Sequence, residues 1–522
     1  MFYIPPSSLV TLGGQYQSCD IEPLLVLARS KSEIQPKYVN YGNMQDAIVY
    51  DIADQIAAEN PNFVLKAAEV PVSATFQEVL DFLAAEFPPV TKKEWESFSN
   101  KWAQISPIPD AALAKHFNEI RQKIDALYKS GRVIYDDQVL MQEVIKLAKT
   151  LEKNQETSHI AGLIKEELQL NLRIYMQKEI KNLMNQFKSI QEQYSNFGIV
   201  FAGLIDGLGY DAESKTYYVM EAKATNLGRA WGSNNNVEER EKEAFIKRRS
   251  YYFGQLIIYM AAIKNGHFPK EFRPIPFIGG YINKRRTMDP TSYWEPDITV
   301  KGLFVTKNTN EQMVENRILS SHAISFEEMA LHGGLVKWVE MTKNMLNNLE
   351  TALNKVSQLD PALYEDQDFY YTLPLVNGMK KSSEIENVQD VELLDYHNNS
   401  IHNDIRQLLI EYTPIRKAIQ FYVSPEGPIA FETWVKMQEA ATNSDNPINA
   451  VVNIKRGGNK EKDTGCTCSM RGSCPYAQIK SEILSMLEQH SGIDDLETEL
   501  EAAKHEKFTK LMKHPDPGIT LE

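Results

Sequence analysis

Two groups of side chains in this chain have the types and spacing that could do chemistry. The first is Asp206, introduced by Gly203, followed by Glu221 and, two residues on, Lys223. Two carboxylates beside one lysine can hold a hard divalent cation, leaving an ammonium to orient water or offset charge building on phosphorus. That is the chemistry of phosphodiester hydrolysis. The second group is sulfur. Of 4 cysteines in 522 residues, Cys466, Cys468 and Cys474 crowd together, and Cys19 lies almost a whole chain away. Three close thiolates want a metal, a tetrahedral site wants a fourth ligand, and Cys19 is the one thiol left to supply it. Zinc and a [4Fe–4S] cluster both accept four thiolates, so the thiols alone leave the metal open.

The carboxylates need a hairpin to bring them together. Gly198–Ile205 and Thr216–Met220 read as strands, with Ala212–Lys215 as the loop between them. If Asp211 pairs with Thr216, a regular register sets Asp206 directly across from Glu221, with Cβ atoms roughly 5 Å apart. Like charges so placed repel, and a cation between them turns the repulsion into binding. Lys223 projects from the same face as Glu221, because side chains alternate along a strand. A bulge would shift the register by one and undo the pairing. An isolated Glu-x-Lys triplet is common in long chains and most often marks an ordinary charged hairpin. Here it closes the apolar run Tyr217–Met220 and follows Gly-x-x-Asp at hairpin distance, which favours the site.

A helix over Glu238–Lys264, ended by Asn265 and Gly266, follows the hairpin. Gln255 and Tyr259 share one of its faces, and Arg248 and Tyr252 continue that stripe toward its start. Arg248, Arg249 and Tyr252 form a candidate DNA-binding track, and the Gln–Tyr–Arg stripe could hold the lysine and the scissile phosphate. Core aromatics and solvated arginines are the competing reading of the same stripe. Lys284, Arg285 and Arg286 make a second cationic run. Gly42 opens an amphipathic helix through Ala58 in which Asp46 is a candidate third metal carboxylate. Taken alone, Asp46 reads as a first-turn acid that suits the helix dipole.

Composition sets the outer limits. Hydrophobic residues at 43% and aromatics at 10% are enough for a large core. A net charge of −14 argues against indiscriminate coating of nucleic acid, although a local cationic track needs only a few Lys or Arg. The chain starts without the basic and apolar regions of a signal peptide, lacks an apolar run of about 20 residues, and has too few cysteines for a disulfide framework. A reducing, cytoplasmic location without membrane association is therefore expected. Strand signal at Val64–Val72 gives way to helical periodicity over Phe76–Tyr194, and 325–356 reads as one helix with Trp338, Met341, Met345 and Leu349 along one side. A strand is expected over Ile275–Ile282 and a helix over Ile401–Tyr412. The resulting expectation is an α/β core assembled from 1–73, 196–356 and 451–480. An all-helical insertion fills 74–195, a second and irregular one fills 357–450, and a helical tail runs over 481–522.

Gly42 with Asp46, Gly203 with Asp206, Glu221 with Lys223, and Gln255 with Tyr259 occur in that order. The chain thereby resembles the RecB-like branch of the PD-(D/E)XK nucleases. With one cysteine before the first motif and three after the last, it is similar to the iron–sulfur nucleases of CRISPR adaptation and of bacterial recombination helicase–nucleases. The resemblance implies a restriction-endonuclease-like mixed sheet flanked by helices. It implies a Mg²⁺ or Mn²⁺ site made by Asp206, Glu221 and the carbonyl of Ala222, with Asp46 standing where relatives carry His or Glu. Lys223 becomes the catalytic lysine, and Gln255 and Tyr259 its support. Cys19, Cys466, Cys468 and Cys474 become ligands of a structural [4Fe–4S] cluster, with zinc the alternative metal. The implied substrate is DNA, at ends or in single strands, in repair, recombination, phage replication or defence, with a helicase or recombination partner. Two departures stand against the pattern: Cys466 and Cys468 are separated by one residue where two are usual, and neither insertion has a counterpart. A non-catalytic nuclease-like scaffold is the alternative of another class, and an RNA-directed enzyme a further one.

Overall fold

A computed structural model describes residues 2–14, 21–28, 63–194, 197–211, 214–225, 252–268, 299–308, 321–364, 415, 417–454 and 474–489. Within these, only the backbone is described at 3, 63–69, 211, 222–225, 299, 301–308, 321–324 and 489. The strands are β1 (Phe2–Ile4), β2 (Phe63–Thr75), β3 (Ile199–Asp211), β4 (Thr216–Thr225), β5 (Thr299–Asn308) and β6 (Ser321–Ser325). The first seven helices are α1 (Leu9–Leu12), α2 (Glu22–Ala28), α3 (Phe76–Glu86), α4 (Lys92–Trp102), α5 (Ala111–Lys129), α6 (Gln138–Glu152) and α7 (Ser158–Gln193). Then come α8 (Phe253–Lys264), α9 (Phe326–Leu331), α10 (Gly334–Val356), α11 (Pro428–Thr442), α12 (Pro447–Asn453) and α13 (Pro475–Gln489). The chain divides into two compact units: Met1–Gln45 and Ala202–Leu204 with Lys343–Glu522, and Asp46–Phe201 with Ile205–Thr342.

The second unit joins a sheet to a layer of long helices. β2 pairs with β3, and the sheet continues in the order β3, β4, β5, β6. β3 and β4 are antiparallel, β4 and β5 parallel, and β5 and β6 antiparallel. A parallel neighbour demands a crossover. α8 lies on that crossover, and it packs against β2, β4, β5 and α3. Every residue from Phe253 to Ile263 is buried, so α8 has no solvated side, as its unbroken apolar sequence requires.

The helical layer forms where helical periodicity predicts it, and its helix starts are chemically marked. Thr75 with Glu78, and Thr91 with Glu94, form capping boxes. Asp110 and Asp137 accept from the first-turn N–H groups of α5 and α6. Such caps satisfy donors that a helix start leaves orphaned, each worth about 1 kcal/mol. The 36-residue α7 is the spine, in contact with α3, α4, α6 and α9.

Two expectations are corrected here. The single helix over 325–356 is two, α9 and α10, broken at His332 and Gly333. Gly333 holds a φ of 94°, a left-handed conformation that ends α9 and that side chains rarely adopt. Trp338, Met341, Met345 and Leu349 do line the buried side of α10. The region expected to be an irregular insertion over 357–450 is helical where it is described after residue 416, in 417–422, α11 and α12. The expected strand over Ile275–Ile282 and the expected helices over Gly42–Ala58 and Ile401–Tyr412 lie outside the described residues.

The first unit is knit by polar contacts to main-chain carbonyls. Asn344 and Asn348, one turn apart on α10, donate to the carbonyls of Gly13 and Leu12 at 3.1 and 2.7 Å. Gln420 donates to the carbonyl of Ala28 at 3.1 Å, just where α2 ends. α11, α12 and α13 pack on one another, with Tyr476 donating to the Ile454 carbonyl at 2.7 Å. β1 pairs with β3, whose residues Ala202–Leu204 belong to this unit.

Candidate active site

The hairpin forms with the register its sequence predicts. Asp211 pairs with Thr216, Tyr210 with Tyr217, Gly209 with Tyr218, Leu208 with Val219, and Gly207 with Met220. The pairing ends there; both strands continue, and one further step in the same register would set Asp206 against Glu221. The loop closes through Lys215, whose φ of 51° turns the chain back toward Thr216.

Contacts show which face carries the acids. Tyr210 and Tyr217 meet across the strands with ring centroids 4.6 Å apart, and Tyr217 meets Phe268 edge-on at 5.6 Å. Phe268 follows the C-terminus of α8. Alternation from Tyr217 puts Val219 and Glu221 on that same covered face, and alternation from Tyr210 adds Leu208 and Asp206. Glu221 is accordingly 2% exposed, while Asp206 is only half-buried. One acid is held inside the protein and the other is partly open to solvent.

α8 contributes the two residues expected of it. Gln255 and Tyr259, one turn apart, are 4% and 5% exposed on a helix that packs against β4. The burial of Tyr259 is as a core aromatic would have it, and Gln255 is a polar side chain buried one turn away. α8 ends at Asn265 and Gly266 as the sequence predicts, with the His267 N–H donating to the Ala262 carbonyl at 2.9 Å. Tyr252 is half-buried and occupies the N-cap position of α8. Arg248, Arg249 and Asp46 lie outside the described residues.

β4 runs unbroken through Ala222 and Lys223 to Thr225, so the pleat that carries Glu221 returns at position 223. The side chains of Ala222 and Lys223 are outside the described set. In the parallel register Lys223 pairs with Thr306 of β5, and Thr306 pairs with His322 of β6. Neither Thr306 nor His322 stood out in the sequence. Their signal was a short alternating run at Phe304–Thr306, diluted by Lys301, Gly302 and Lys307.

Of the proposed thiolates, only Cys474 is described. It is buried and immediately precedes α13, its carbonyl accepting the Gln478 N–H at 3.0 Å. A helix start favours a thiolate through its unpaired N–H groups and its dipole. Cys19, Cys466 and Cys468 lie outside the described residues. Among the described residues, no group of three or more His, Cys, Asp or Glu is gathered as a metal site. Were Asp206 and Glu221 to face one another, their carboxylates and the Ala222 carbonyl could form an all-oxygen donor set, which would suit Mg²⁺ or Mn²⁺ and not a soft metal. Among the described residues, no helix is long and apolar enough to cross a membrane.

No protein-family model, no curated protein and no solved structure matches this chain.

Proposed function

We propose that the chain is a divalent-metal-dependent deoxyribonuclease, with the restriction-endonuclease-like core of the RecB-like PD-(D/E)XK nucleases, hydrolysing phosphodiester bonds at DNA ends. The single observation that carries this reading is the β3–β4 register, which pairs Gly207 with Met220 and, continued by one residue, would oppose Asp206 and Glu221. Support comes also from α8, which packs against the strand bearing Glu221 and Lys223 and on which Gln255 and Tyr259 are buried.

Asp206, Glu221 and the Ala222 carbonyl would hold Mg²⁺ or Mn²⁺, with Asp46 as a further ligand. Such an ion, when bound, supplies a Lewis acid and lowers the pKa of water in its shell. Lys223 would orient the attacking water and offset charge on the phosphorane. Gln255 and Tyr259 would fix the lysine and exclude bulk solvent from it. Arg248, Arg249 and Tyr252 would meet the DNA backbone near the start of α8. Cys19, Cys466, Cys468 and Cys474 would hold a structural [4Fe–4S] cluster, in keeping with one distant and three clustered thiols; zinc sites usually arrive as two close pairs.

The test is cleavage of labelled linear and circular DNA by the full-length protein, with Mg²⁺ and with EDTA. Asp206→Ala and Lys223→Ala should each lower Mg²⁺-dependent cleavage by roughly 10²–10³-fold or more, as removing a transition-state contact does, with circular dichroism unchanged. Cleavage retained in both variants refutes the assignment. A folded wild-type protein that cuts no DNA in either metal leaves the scaffold reading in its place. Iron and sulfide assayed per chain, against zinc, decide the second site.

A further inference from the structure

The second unit holds a cavity of about 590 Å³, bounded by the end of α3 and by α4, α7 and α9 and within the size range of small-ligand sites. Phe87, Leu170, Phe326 and Ala330 are buried residues on its wall. Phe87 and Phe326 lie 6.3 Å apart between ring centroids, and Phe326 stacks on Phe253 of α8 at 5.0 Å. The turn that carries Phe87 is fixed from α7. Gln177 donates to the Phe87 carbonyl at 2.5 Å, and Arg173, one turn earlier, donates to the carbonyls of Pro88 and Pro89 at 2.8 Å each. The apolar wall is therefore formed without a ligand.

The charged groups around this wall answer one another. Arg173 Nη1 donates at 2.9 Å to Glu94, which also accepts from the Thr91 N–H and hydroxyl at 2.7 Å each. Glu166 is held by Lys101 at 2.7 Å. Glu86 has Lys264 of α8 as its electrostatic partner. The remaining charges on the wall are one acid, Glu327, and one base, Lys93, both exposed. An ion of either sign seated here would give up water without meeting an excess of the opposite charge, a cost that an uncharged molecule escapes. What the wall does offer is apolar surface, with the Ser97 hydroxyl and the Gln169 amide as neutral hydrogen-bonding groups beside it.

We propose that this cavity binds an uncharged amphiphile, with an aromatic or branched aliphatic body against Phe87, Leu170 and Phe326 and a hydroxyl or amide that meets Ser97 or Gln169. The body gains by leaving water, and the polar substituent is matched by groups as neutral as itself. Neutrality of the ligand follows from the pairing of the wall, with Arg173 and Glu94 the pair that closes it. The site is independent of the hydrolytic reading.

The probes are 2-phenylethanol, 2-phenylethylammonium and 3-phenylpropanoate, titrated against the full-length protein by ligand-observed NMR. The alcohol should bind about tenfold or more tightly than either ion. Ser97→Trp and Gln169→Trp, at exposed positions on two different helices, should each weaken the alcohol by narrowing the cavity. Arg173→Gln leaves the Glu94 carboxylate without its guanidinium, so the ammonium should gain roughly tenfold relative to the alcohol while the carboxylate gains nothing. Circular dichroism should be unchanged in all three variants. The proposal is overturned if the alcohol fails to bind or if either ion binds as tightly. It is equally overturned if both tryptophan substitutions leave the alcohol unaffected, or if Arg173→Gln leaves the order of the three probes and their ratios as they were.

Discussion

Two glutamates are buried in the same unit and answered in different ways. Glu167 on α7, with no exposed surface, receives Arg121 Nη1 at 2.6 Å and the Tyr128 hydroxyl at 2.9 Å. Asn171 donates to the Tyr128 oxygen at 2.7 Å, and its own oxygen takes the Ile134 N–H at 3.0 Å, so the network is tied to the main chain. Burial, and then the charge of Glu167, hold the Tyr128 hydroxyl far above its usual range, so it remains a neutral donor. Glu221 is almost as deeply buried, and one step beyond the last hairpin pair the register would set the acid Asp206 against it. The helical layer thus carries its own counter-charge beside its buried acid, whereas in the proposed reading of the hairpin a second acid faces the first. If the proposed site is right, opposed carboxylates cost stability that a bound cation returns, and the two glutamates then separate a structural buried charge from a functional one.

Breaking the helical network gives the largest expected effect. Arg121→Ala leaves a buried carboxylate without its guanidinium, a change that costs about 3–5 kcal/mol. It also removes the guanidinium lying 4.5 Å from the Trp102 ring. The urea midpoint followed by tryptophan fluorescence should fall sharply, with or without Mg²⁺. An unchanged midpoint would mean that Glu167 does not depend on its partner, and the contrast between the two glutamates would fail.

A substitution of intermediate effect perturbs the hairpin without touching its charges. A Cβ at Gly207 would come within 3.1 Å of Met220 Cε and 3.3 Å of Met220 Cβ, directly across the strands and beside Asp206. Overpacking of this kind typically costs about 1–3 kcal/mol. Gly207→Ala should spread the strands, lowering both thermal stability and metal-dependent cleavage, although both carboxylates remain. Full cleavage at wild-type metal concentrations would show that strand spacing does not set the site.

Removing one hairpin acid should do the reverse of removing Arg121. If Asp206 faces Glu221 as proposed, Asp206→Asn in EDTA should relieve a cross-strand repulsion and stabilise the protein by about 0.2–1 kcal/mol. On adding Mg²⁺ the wild type should gain stability through binding and the variant should not, so the order of melting temperatures inverts. Equal responses to Mg²⁺ in both proteins would separate Asp206 from the metal.

The hairpin was legible in the sequence because three signals coincide there: alternating apolar residues, a loop of defined length, and acids whose spacing matches one register. The helical layer was legible for a similar reason, since Thr75, Thr91, Asp110 and Asp137 mark its helix starts as plainly as the apolar period marks their faces. β5 and β6 escaped notice because Lys301, Gly302 and Lys307 interrupt the first, and the second spans only Ser321–Ser325. Their pairing is decided by neighbours distant in sequence, which local pattern does not encode. The helices after residue 427 were obscured by Pro428 and Pro447, which resemble breaks in a sequence and in fact occupy first-turn positions, where proline is favoured. Gly333 divides α9 from α10 inside an otherwise continuous apolar stripe, a division set by one left-handed residue.

The smallest effect concerns a charge pair at the surface of the helical layer, between the two extremes. Glu94 accepts from Arg173 at 2.9 Å and from the Thr91 N–H and hydroxyl at 2.7 Å each. These donors, Arg173 first, lower its carboxyl from 4.5 to about 2. A depressed carboxyl contributes stability that is fully present above the ordinary value and is lost as pH falls toward the folded one. The stability difference between wild type and Glu94→Gln should therefore hold steady above about pH 5 and shrink as the solution is acidified toward pH 2. Because the carboxyl is solvated and screened, the difference should be modest at every pH, and smaller than the loss in Arg121→Ala. Denaturant midpoints of both proteins across that range measure it directly. A difference that grows on acidification would mean that Glu94 is held as the acid rather than the anion, and the capping box with Arg173 would need another account.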